Sequence, residues 1–149
     1  MKIVQLLQQH ETLASPFASL MLVCVRDYDV KTVVAQVIRE IAQIEPGELA
    51  RDTNATRNYC NFMLEVGTTC GPVVLTAISS LMPHLDGDSY TMRNCVLSII
   101  GDLISGVLSE EGSEEKETRE TLFDRFVNKL LLVTVSSDVP MFVKPLYSK

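Results

Sequence analysis

Two histidines, four cysteines and nineteen acidic side chains are the groups in this 149-residue chain that could do chemistry. His10 stands directly before Glu11. Such a pair could move a proton if a pocket and a third orienting group held it, and neither is visible in the sequence around it. Both are therefore expected as surface polar residues. His84 precedes a Leu-Asp turn and is expected at a helix end, with its ring directed at backbone carbonyls. Cys24, Cys60, Cys70 and Cys95 show no C-x-x-C spacing, and neither histidine has a partner three to five residues on. A zinc site needs four clustered ligands, so no metal site is expected and the cysteines read as buried reduced thiols, small hydrophobes in effect. The chain contains no G-x-S-x-G, Walker A, glycine-rich dinucleotide loop or H-E-x-x-H. No catalytic, cofactor-binding or metal residue is expected, and the chain does not read as an enzyme.

The totals point the same way. A hydrophobic fraction of 46% with 21% charged residues is that of an ordinary folded domain. At this length roughly 70% of the unfolded surface can be buried, enough for a real core. Arg26, Asp27, Arg39, Asp102 and Asp124 interrupt every apolar run before it could cross a bilayer. The first residues lack the pattern of a secretory signal, because Gln5, Gln8, Gln9 and His10 follow at once. A nuclear or cytosolic protein is expected. A net charge of -6 with scattered Arg26, Lys31, Arg39, Arg51 and Arg57 disfavours direct binding of nucleic acid, which rewards clustered cations and interleaved aromatics. The acidic run from Glu110 to Glu117 could steer basic histone tails, but such runs are more often a solvated loop and helix start.

The elements that would position these groups are helical. Val33, Val34, Val37, Ile38, Ile41 and Ile44 share one face of a helix expected over Val30–Ile44. Val73, Val74, Ala77, Ile78, Leu81 and Met82 repeat the pattern after Gly71-Pro72, where proline suits the first helical position. A third helix is expected from about Ser89 to Leu108, with Asp88 or Ser89 as cap, and a fourth over Glu114 to about Leu131. Two shorter ones, Ile3–Gln9 and Pro16–Val25, precede these, the second with Ser15 as cap and Pro16 as its first residue. Pro46, Gly47, Asp52, Thr53 and Asn54 make 45–57 a long loop with room for a single turn inside it, either a spacer or a partner-binding insertion. Leu131–Val135 is short, apolar and β-branched, and could be helix or strand, or pack against a further repeat. Helices without a sheet leave a bundle or a stacked solenoid.

Internal similarity favours the solenoid. The stretch Asp29–Ile44 aligns without gaps on Asp88–Leu103, with an acid at the start and apolar positions in phase. Leu81, Pro83, Leu85, Asp86, Met92, Arg93, Asn94, Val96, Leu97 and Gly101 resemble the HEAT signature, in which leucines close one helix, an aspartate turn caps the next, and an arginine covers the seam. Asp138–Lys144 resembles the same turn opening a further helix. The fold expected is all-α, a HEAT-like α-solenoid fragment of antiparallel helix pairs. Residues 1–44, 58–108 and 114–149 are its repeat units, with 45–57 the loop.

The stretch Leu85–Leu108, with its Leu-Asp-Gly-Asp-Ser-Tyr-Thr-Met-Arg-Asn-Cys-Val-Leu opening, resembles the large HEAT subunit of condensin. Leu49–Asn58, the Glu117–Asp124 helix and the Asp138–Val143 turn are similar to further parts of that family in the same order, so the resemblance covers residues 1 to about 144. Members of that family are far longer, so a truncated piece is expected, and Pro140 and the Pro145–Lys149 tail depart from the helix expected there. The resemblance implies a non-catalytic scaffold and regulatory subunit that binds the kleisin and SMC subunits. It also implies contact with chromatin and histones, and residence in the nucleus and on chromosomes with a cytoplasmic pool. It carries no binding residue over to this chain. A HEAT adaptor of another complex, in transport or phosphatase assembly, is the alternative.

Overall fold

The computed structural model describes residues 2–109 together with position 124. Apart from position 124, the expected Glu114–Leu131 helix falls outside the described residues, as do the acidic run 110–117, the Leu131–Val135 run and the Asp138–Lys144 turn. Within them the chain is all-α: α1 Lys2–Gln9, α2 Ala14–Tyr28, α3 Lys31–Ala42, α4 Pro46–Arg51, α5 Thr53–Thr69, α6 Gly71–Leu81 and α7 Tyr90–Ser109. Two 3-10 turns, Glu11–Leu13 and Met82–Asp86, join α1 to α2 and follow α6. No strand occurs among the described residues.

The apolar periodicity placed α1, α3, α6 and α7 within a few residues of their observed ends. Burial follows the expected faces: Val34, Val37, Ile38 and Ile41 on α3, Val73, Val74, Ala77, Ile78 and Leu81 on α6, and Met92, Val96, Ile99 and Ile100 on α7 are all buried. Each such side chain withdrawn from water contributes about 1.5–3 kcal/mol. α2 begins earlier than expected, at Ala14 after Leu13, and has no side-chain cap. Ser15 is not the cap, because its hydroxyl reaches across to Glu65 of α5 instead.

The loop expected over 45–57 is mostly helix. Pro46 fills the first position of α4, where its missing N–H costs nothing. Asp52 then caps α5, its carboxylate accepting from the Ala55 N–H at 3.0 Å. Prolines and turn-forming residues that signalled a break therefore mark two helix starts in succession. The Thr56 hydroxyl joins them, donating to the Leu49 carbonyl at 2.7 Å and to that of Asp52 at 2.9 Å.

α5 is the helix around which the others are arranged, packing against α1, α2, α4, α6 and α7, while α3 packs along α6. Ser15 at the start of α2 meets Glu65 near the end of α5, so these two run antiparallel. Cys60 of α5 meets Thr91 at the start of α7, and Gly71, just past the end of α5, lies against Leu103, so α5 and α7 run in the same direction. A repeating alternation of helices side by side is a solenoid's arrangement. The self-similarity of Asp29–Ile44 and Asp88–Leu103 relates α3 to α7, whose principal partners differ, α6 for α3 and α5 for α7. The two leading aspartates also differ in role. Asp29 closes α2 in the left-handed region, at φ 51°, and the N–H of the next residue, Val30, is bonded to the Cys24 carbonyl at 3.0 Å. At α7 it is Ser89, not an aspartate, that caps, its hydroxyl accepting from the Met92 N–H at 3.2 Å.

Candidate functional site

The groups capable of chemistry are dispersed. His10 and Glu11 are exposed beside the first 3-10 turn, as expected of surface residues. His84 is buried in the second 3-10 turn, with Nε2 2.6 Å from the carbonyl oxygen of Ala42. That carbonyl is among the last of α3, where intrahelical donors run out. His84 thus acts as expected of a helix-end residue, and the helix it closes is α3, forty-two positions back in sequence.

The cysteines divide unevenly. Cys60, Cys70 and Cys95 are buried free thiols and Cys24 is half-buried. At the α5–α7 seam each of two thiols reaches the opposite helix, Cys60 Sγ lying 3.9 Å from the Thr91 carbonyl and Cys95 Sγ 4.0 Å from that of Cys60. Interaction with the Cys60 side chain, then burial, pushes the Cys95 thiol well above the ordinary thiol range. The neutral thiol is the form held there, the opposite of what a nucleophile or a metal ligand requires. No group of three or more His, Cys, Asp or Glu side chains is placed to hold a metal ion among the described residues.

Other polar side chains hold helices in register. Asn58, buried on α5, donates from Nδ2 to the Leu7 carbonyl at 2.9 Å and so ties the end of α1 to α5. Burial, then the nearby carboxylates of Glu48 and Asp52, raise the Tyr59 hydroxyl above its usual range. Arg93, the residue expected to cover the helix seam, lies over the Tyr90 ring at 5.7 Å. These groups became visible only with the fold, because a buried asparagine or threonine on a helix looks in sequence like a solvent-facing one.

The surface offers contact more than reaction. α2 buries Ala14, Ala18 and Met21, and a second apolar row, Phe17, Leu20, Cys24 and Tyr28, lies partly open to solvent. Leu20 is 48% exposed and Tyr28 72%. Apolar side chains at this spacing on a helix suit packing against another protein surface. No helix among the described residues is long and apolar enough to cross a membrane.

No protein-family model matches the chain. Curated relatives do. The chain is 34% identical over 145 residues to condensin complex subunit 1 of Mus musculus, a match that takes in 96% of this chain and 10% of that protein. It is 34% identical over 125 residues to condensin complex subunit 1 of Homo sapiens, covering 83% of this chain and 9% of the relative. For the protein of that name from Xenopus laevis the figures are 32% over 129 residues, 87% and 9%. The chain thus spans about a tenth of the length of the relatives it matches.

Proposed function

The chain belongs to the condensin complex subunit 1 family, and from that premise we propose that it is a non-catalytic scaffold segment of condensin's HEAT subunit. In this reading it supports chromosome condensation through protein–protein and chromatin contacts. The similarity over 96% of the chain carries the reading. A helical stack whose polar side chains are committed to tying helices together agrees with it, as does the half-exposed apolar row on α2.

The partners this reading assigns are the kleisin and SMC subunits, with histones as a further contact, and its location is the nucleus and chromosomes with a cytoplasmic pool. Residues 1–44, 58–108 and 114–149 are proposed as successive repeat units, the second extended forward to take in the start of α5 at Thr53. Any chemistry of the assembly is assigned to other subunits. Gel filtration of the purified chain mixed with purified kleisin tests the reading: co-elution supports it. Separate elution of a chain that is helical by circular dichroism argues that these helices do not contact kleisin on their own.

A further inference from the structure

Among the described residues four large apolar side chains are exposed, and two of them, Leu20 and Tyr28, stand on α2 in one row with the half-buried Phe17 and Cys24. At about 100° per residue the four fall within an arc of about 80° of the helix, beside the face that buries Ala14, Ala18 and Met21. The row is bare of charge. Between Lys2 and Arg26 the sole Asp, Glu, Lys or Arg is Glu11, in a chain that is 21% charged. The centre of a protein interface is depleted of charge in this way, and a solvated helix face is not. The charges that border the row at its far end are already committed, Arg26 to Asp27 at 2.8 Å and Lys31 to Asp29 at 3.7 Å.

We propose that a second copy of this chain covers this row, the two α2 helices lying antiparallel about a twofold axis, a contact that goes beyond the scaffold reading and does not depend on it. The order of the side chains suits that symmetry. Turned end for end about a point between Leu22 and Val23, the row falls on itself: Phe17 of one copy meets Tyr28 of the other, ring against ring, and Leu20 comes within one residue of Cys24. A twofold contact requires such self-complementarity, because the same patch serves both sides. Charge selects the occupant. Each copy carries a net charge of -6, so two copies repel across most of their surfaces and meet most readily where no unpaired charge is presented. A basic partner gains nothing from an uncharged face. Four partly exposed side chains per copy supply less than the about 800 Å² per partner of a standard interface, so the dimer is weak, half-formed at about 10–100 μM.

Sedimentation equilibrium of the full chain, over a concentration series reaching about 300 μM, reads the association directly. The weight-average mass is expected to climb from 16.6 kDa toward twice that value and to stop there. Leu20→Glu sets two carboxylates against each other near the axis and is expected to stay monomeric throughout, with helicity by circular dichroism unchanged because the position is 48% exposed. Leu20→Lys alone should behave likewise, and an equimolar mixture of the two variants should regain the dimer. A short bismaleimide, which adds one thiol across each of its two double bonds, should join wild-type chains through Cys24, the cysteine of the four that is not buried, and leave Cys24→Ser uncoupled. A wild-type chain that remains monomeric across the series, a dimer that persists in Leu20→Glu, a cross-link that persists in Cys24→Ser, or a mass that keeps rising past the dimer overturns the proposal.

Discussion

At the scale of single residues, three buried polar groups define what the described part of the molecule needs. His84→Ala leaves the Ala42 carbonyl without its 2.6 Å partner. The expected loss is about 1–3 kcal/mol, read as a lower midpoint in urea unfolding. Thr56→Val keeps the shape of a fully buried side chain and deletes its bonds to Leu49 and Asp52, with an expected cost of about 1–2 kcal/mol in the same measurement. Cys95 contributes a pH dependence. Its folded thiol titrates well above the ordinary range, so the folded chain holds a proton that the unfolded chain loses near pH ~8.5. This stabilisation is fully present below that pH and is lost as pH rises toward the folded value. Tyr59, also raised, acts in the same direction at still higher pH. Thermal midpoints should therefore fall between neutral and strongly alkaline pH, and Cys95→Ala should flatten the slope. His84 was legible as a helix-end residue from its place before a turn, but its partner on α3 was not, because forty-two residues of chain separate them and only packing joins them.

At the scale of helices, α2 and α5 make contrasting demands. Neighbouring residues on α2 differ in what they touch. Met21 is 1% exposed, and its replacement by alanine should cost about 2–5 kcal/mol. Leu20 is 48% exposed, and Leu20→Ser should change stability by no more than about 0.5 kcal/mol. Paired denaturation curves of the two variants check both. On α5, Asp52→Ala removes the bond to the Ala55 N–H and should cost about 1 kcal/mol. The helices with one continuous apolar face, α3 and α6 above all, were readable from periodicity. α5 was not, because its buried set mixes Thr56, Asn58, Tyr59 and Cys60 with Ala55, Phe62, Met63 and Val66. Its exposed side is the narrow stripe Asn54, Arg57, Asn61 and Thr68, and the polar residues buried opposite it blur the contrast that periodicity relies on. Pro46, Gly47, Asp52, Thr53 and Asn54 around its start suggested a loop because helix starts and loops use the same residues.

At the scale of the whole molecule, the fold class was legible because helical periodicity recurs with short breaks between the helices, and the family because the Leu85–Leu108 motif lies in a run of matches in order. Which helix packs on which was not, since the internal similarity joins α3 with α7 while packing joins α3 with α6 and α5 with α7. The proposed scaffold role agrees with this organisation, in which buried polar ties hold the helices in register and leave their outer faces for contact. The most direct measurement is capture of partners by the tagged chain from mitotic extract, with proteins identified by mass spectrometry against a control whose helices are scrambled. The account predicts recovery of kleisin and SMC subunits on the chain and not on the control; a folded chain that captures neither, or that captures transport or phosphatase subunits in their place, would contradict it.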